Sequence, residues 1–136
     1  MTTEEEHKTI QDELEEDINE KISRGILGKR QKLIGFSTSE ASTNLFARLL
    51  HKLELISPGF NINHRFFASI ERAKSKFDYD FPNKEKILKL LVKQEIYRDK
   101  ICYGKDKDES VVKGAVENYF DLKDVIEESM PKNEEK

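Results

Sequence analysis

"KEKILKLLVKQEIYRDKICYGKDKDESVVKGAV", residues 84–116, decides the fold class. Ile87, Leu88, Leu90, Leu91, Val92, Ile96 and Ile101 recur at helical spacing over 84–102 and nearly encircle the axis. A helix that is apolar on so much of its surface belongs at the centre of a helical protein. Asn83 stands where an N-cap is expected. Gly104 follows the last apolar position, where a left-handed residue ends a helix. Asp108 then offers the cap for a new helix that would bury Val111, Val112, Ala115, Val116, Tyr119, Leu122 and Ile126. The stretch reads as helix, glycine stop and Asp-capped restart.

Upstream, the same grammar repeats. "STSE" at 37–40 has the form of a capping box and predicts a helix start there. Ala41, Leu45, Phe46, Leu49, Leu50 and Leu53 make the wide apolar stripe of a core helix. Pro58-Gly59 stops it. Asn61 or Asn63 can cap a third helix with Phe66, Phe67, Ile70, Ala73 and Phe77 inward, and "YDFPN" at 79–83 breaks it again. Tyr79 and Phe81, in that break, would cover an adjacent helix end. Over 4–23, Ile10, Leu14, Ile18 and Ile22 recur every fourth residue as a narrow stripe; Gly25 and Gly28 then break the pattern, and Gly35 ends the basic segment. Strong strand alternation is absent. The expectation is an all-α fold, a compact bundle of four to five helices with short loops. It would be organised as an acidic N-terminal helix and basic linker over 1–34, a bundle over 35–128 and a frayed tail over 129–136.

Composition bounds the function. A chain of 136 residues is the size of one domain and can bury a core without metals or disulfides. The net charge of −3 is far from that of a basic nucleic-acid-binding protein. The charge is nevertheless uneven: residues 1–20 sum to −8 and residues 21–34 to +5. Cys102 is the only cysteine, which excludes an internal disulfide and a cysteine-rich zinc site. No apolar run approaches the roughly 20 residues of a membrane span. The acidic start is the opposite of a secretory leader. A soluble, cytoplasmic protein with no membrane partner is expected.

No complete catalytic set appears, and no metal or cofactor site. His7, His51 and His64 lack the spacing of helical metal ligands, and His51 with Glu54 reads as a surface pair. "GILGKR" at 25–30 lacks the spacing and final hydroxyl of a phosphate loop. Cys102, between Ile101 and Tyr103, reads as an apolar filler. Two patterns suit binding. Arg24, Lys29, Arg30 and Lys32 could contact phosphates, but without interleaved aromatics they read first as a solvated linker paired with the acidic stretch before it. Ile10, Leu14, Ile18 and Ile22, opposite many acids, have the look of a partner-binding helix.

At residues 97–104 a resemblance emerges. "YRDKICYG" is similar to the end of the motif helix of the HEPN superfamily, a group of short α-bundles. Arg98 matches the motif arginine and Asp99 the polar residue after it; Tyr103 stands where the family carries its histidine. "ESVVKGAVENYFDLKDVIEE", 109–128, resembles the final helix of HepT-type members. The resemblance implies nucleotide or RNA binding through Arg98, Asp99 and Tyr103, and a homodimer. It also implies weak or absent catalysis, because a hydroxyl with a reference pKa near ~10 is a poor base at neutral pH. The residues alone favour a non-catalytic protein-interaction or regulatory module: an accessory subunit, or an immunity or antitoxin-like protein. A HEPN-like RNA- or nucleotide-binding domain, catalytically weak or inactive, is the alternative.

Overall fold

The computed structural model describes residues 3–131. Five α-helices and two 3₁₀ turns make up the regular structure of these residues, with no strand among them: α1 (Glu4–Ser23), α2 (Gln31–Lys52), α3 (Ile70–Lys76), α4 (Lys84–Cys102) and α5 (Glu109–Ser129), with 3₁₀ turns at Gly28–Arg30 and His64–Phe67. The all-α expectation holds. No helix among the described residues is long and apolar enough to cross a membrane.

Four long helices run alternately up and down, and α3 with its preceding 3₁₀ turn covers part of their surface. Side-chain pairs fix the order. His7 meets Asn44 and Glu4 meets Arg48, so α1 runs antiparallel to α2. Arg98 meets Ser39 and Gly35 approaches Cys102, so α2 runs antiparallel to α4. Gln94 Nε2 donates to the Ala115 carbonyl and Asn118 Nδ2 to that of Leu90, so α4 runs antiparallel to α5. The main core holds Leu45, Phe46, Leu49, Phe67, Phe77, Leu88, Leu91 and Tyr119, all nearly or fully buried. Each such side chain contributes about 1.5–3 kcal/mol by leaving water. A smaller cluster of Ile18, Leu27, Ile34, Val112 and Val116 closes the end where α1 turns into α2.

Several local expectations hold at atomic detail. Gly104 has φ +80 and lies just past α4. Asp108 accepts from the Ser110 amide and caps α5. Gly25 takes φ +66 after α1, a conformation that favours glycine. Phe81 is buried against Phe46.

Others are corrected. "STSE" does not start a helix, because α2 begins at Gln31 and Ser37, Thr38 and Ser39 lie buried inside it. Small hydroxyls can bond back to their own helix: Thr38 Oγ1 donates to the Ile34 carbonyl at 2.8 Å and Ser42 Oγ to that of Thr38 at 2.7 Å. A boundary between residues 34 and 35 therefore falls within α2, and 28–34 is helical rather than an extended linker. Gly35, where the basic segment ends, lies inside α2. It lets α2 approach α4 so closely that a Cβ there would sit 2.9 Å from Cys102 Sγ. The third helix is split, with Asn63 capping the 3₁₀ turn and Ser69 capping α3. Asn83 precedes α4 at φ +58 but gives it no side-chain cap; its Nδ2 donates to Ser129 Oγ instead. Ile96 is exposed, so α4 is less encircled than its pattern implies. Of the expected tail, Ser129 is buried within α5, and 132–136 lie outside the described residues.

Candidate functional site

Arg98 sits on the side of α4 that faces α2. Its Nη1 donates to Glu40 Oε2 at 3.1 Å and to Ser39 Oγ at 3.0 Å. Its guanidinium carbon lies 5.4 Å from the centroid of the Phe36 ring. The side chain is 12% exposed. A planar guanidinium can serve two acceptors while stacking on an aromatic face, which a lysine cannot reproduce. Arg98 therefore braces α2 against α4 through Nη1, while its buried Nε has no hydrogen-bond partner among the described residues.

The other motif positions face elsewhere. Asp99 is exposed, and Tyr103 is 60% exposed on extended backbone past the helix end.

One turn before Arg98 lies a pair that the sequence does not reveal. His64 Nδ1 is 2.8 Å from Glu95 Oε1, and the two are 31 residues apart, with no spacing signature. Burial pushes the Glu95 carboxyl above the usual carboxylate range, against the pull of the His64 hydrogen bond and of Arg98. Burial likewise raises the Cys102 thiol, against Arg98 and Lys32. The thiolate, which is the nucleophilic form, is thus disfavoured.

The basic segment and the motif helix end meet at one pole of the bundle. Gln31 is the latch. Its side chain donates to the carbonyls of Gly28 and Lys107 and accepts from the Lys107 amide at 2.7 Å. Lys32 Nζ donates to the Gly104 carbonyl at 3.1 Å. Lys29, Arg30 and Lys105 make no ion pair among the described residues. Lys29, Arg30, Gln31, Lys32, Leu33 and Asp106 line an open groove of about 240 Å³. Arg24 stands apart, at the end of α1, 4.0 Å from Glu20.

Beside this pole runs an apolar strip. Leu33 and Phe36, one turn apart on the outer side of α2, are 53% and 45% exposed. The chain at Tyr103 passes Lys32, whose carbonyl meets Cys102 Sγ and whose Nζ meets the Gly104 carbonyl.

The isoleucine stripe of α1 divides. Ile18 is fully buried and Leu14 packs on the core, while Ile10 and Ile22 stay exposed. The docking of α1 rests equally on polar residues. Tyr119 Oη accepts from Gln11 Nε2 at 3.1 Å and donates to Glu15 Oε1 at 2.8 Å. Arg48 bonds Glu4 and Gln11. His51 is not paired with Glu54; its ring lies 5.4 Å from that of His7. Burial, then the neighbouring His7, holds the His51 imidazole below its ordinary pKa, and Glu4 opposes this. No three His, Cys, Asp or Glu side chains converge as a metal site among the described residues.

No family model, curated protein or solved structure matches the chain.

Proposed function

We propose that this is a non-catalytic protein-contact module of a regulatory or accessory kind, working through the face built by α2 and the end of α4. The observation that carries this reading is the state of Arg98. The residue best placed to bind a phosphate is paired to Glu40, bonded to Ser39 and stacked on Phe36. Beside it, Phe36 and, one turn away on the same helix, Leu33 stand in solvent. Adjoining exposed side chains of this size mark interaction surfaces far more often than scattered single ones do. Aromatic residues at the centre of a patch with charges at its rim are also the usual make-up of a protein interface.

The test is affinity capture from the native host with the wild-type chain and with Phe36→Glu. Loss of a specific partner on substitution, with the circular-dichroism spectrum unchanged, supports the reading. Identical captured sets from both proteins would count against it.

A second reading is nucleotide or RNA binding by a HEPN-like domain. One observation favours it: Tyr103 lies beside Lys32, next to the unpaired Lys29, Arg30 and Lys105. An aromatic face among cations is a pattern that suits single-stranded nucleic acid. It expects low-salt binding of a short oligoribonucleotide that weakens on Tyr103→Ala. Absence of binding at low salt removes it.

A further inference from the structure

α2 is buried along most of its length, and only Lys32, Leu33, Phe36 and Lys52 of it are exposed. A helix so covered ordinarily keeps polar residues at its few solvent positions. Here two of the four are large and apolar, and they stand one turn apart. Their surroundings are cationic. Leu33 shares an open groove with Lys29, Arg30 and Lys32. Lys32 lies 3.9 Å from Asp106, an exposed pair of little weight. Lys29 and Arg30 make no ion pair among the described residues. The chain carries a net charge of −3, so this cationic rim runs against its overall sign.

We propose that this face takes an acidic amphipathic segment of another protein, which sets a large apolar side chain on Leu33 and Phe36 and its carboxylates on Lys29, Arg30 and Lys32. The inference rests on the reading of the α2/α4 face as a protein-contact surface, and it names the chemistry of the partner. Charge complementarity fixes the sign, because like charges brought together across an interface are penalised. The apolar pair fixes the class. Single-stranded nucleic acid needs ring faces on which bases stack. Leu33 has none, and one face of the Phe36 ring is already taken by the Arg98 guanidinium. An apolar side chain flanked by carboxylates uses both halves of the surface: the leucine and the ring leave water, and the charges pair at the rim.

The test is selection of short random peptides displayed on phage against the immobilised full chain, after depletion on Phe36→Glu. The retained peptides are expected to carry more Asp and Glu than Lys and Arg, beside a large apolar residue. The most enriched peptide, followed by fluorescence anisotropy, should bind Lys29→Glu/Arg30→Glu about tenfold more weakly or worse. Its binding to the wild type should weaken about tenfold from about 0.1 M to about 1 M salt, as the screening length falls from about 10 Å to about 3 Å. Both variants should keep the wild-type circular-dichroism spectrum. Peptides that depend on Phe36 but show no acidic excess, or that bind the charge-reversed protein equally well, overturn the acidic partner and leave the face standing. A selection that yields no Phe36-dependent peptide overturns the face as well. Low-salt binding of an oligouridylate that is lost on Phe36→Glu assigns the face to nucleic acid and also overturns the proposal.

Discussion

Replacing Arg98 with Met removes the guanidinium while keeping much of its apolar stem. If Arg98 is a structural brace, the protein should lose stability. Two hydrogen bonds are lost, one of them to a carboxylate, together with stacking on Phe36. A hydrogen bond to a charged group contributes about 1.5–3 kcal/mol and a neutral one about 1 kcal/mol. Glu40 is 33% exposed, so water can replace part of what it loses, and the pair is discounted accordingly. The expected cost is about 2 kcal/mol, or roughly 5–10 °C in Tm for a chain of this length. Urea unfolding followed by circular dichroism gives the free energy directly. A cycle with Glu40→Gln should show coupling of about 1 kcal/mol, because the two side chains share one contact. An unchanged midpoint, or strictly additive single and double variants, would refute the brace. It would return Arg98 to the pool of ligand-binding residues.

The remaining predictions concern packing, protonation and the docking of α1. Gly35→Ala should cost about 1–3 kcal/mol in urea unfolding, because its Cβ would press on Cys102 Sγ and on Ile101 Cγ2 at 3.0 Å. Gly114→Ala should be near neutral in the same assay. Its Cβ meets the far end of the Tyr97 side chain, which can move, and alanine gains about 1 kcal/mol of helix propensity. Tyr119→Phe should cost about 1–2 kcal/mol and speed hydrogen exchange in α1, since Gln11 and Glu15 lose their shared partner. The His51 imidazole is held below its ordinary value when folded, so the unfolded chain binds more protons under about pH 6.5. Stability is therefore full above that pH and falls as pH drops toward the folded-state value. Stability profiles of the wild type and His51→Phe should differ in slope only within that window.

What the sequence could tell depended on whether the cause was local. The stop at Gly104 and the cap at Asp108 depend on a few neighbouring residues, and both are read correctly. "STSE" also had a local form, but it sits in a helix that already runs from Gln31. Its Thr38 hydroxyl is satisfied by the Ile34 carbonyl one turn back, Ser39 Oγ accepts from Arg98, and Glu40 is claimed by Arg98 across the α2/α4 interface. A capping pattern cannot announce that a helix has already begun. The isoleucine stripe of α1 was visible, but the partners that seat it, Tyr119, Asn44 and Arg48, are distant in sequence. The same limit hid the His64–Glu95 pair and the meeting of the basic segment with the 103–107 loop. Arg98 was recognised as a residue of consequence. Whether it faced a ligand or Glu40 depended on a contact 58 residues away.

The central claim is that the α2/α4 face meets another protein surface, and a photo-crosslinker placed at position 36 tests it most directly. Phe36→p-benzoylphenylalanine, irradiated in the native host, should give one or a few discrete adducts. The same group at the exposed Lys93 of α4 should give none of them. Bare, uncrosslinked protein from position 36, or the same adducts from both positions, would contradict the account.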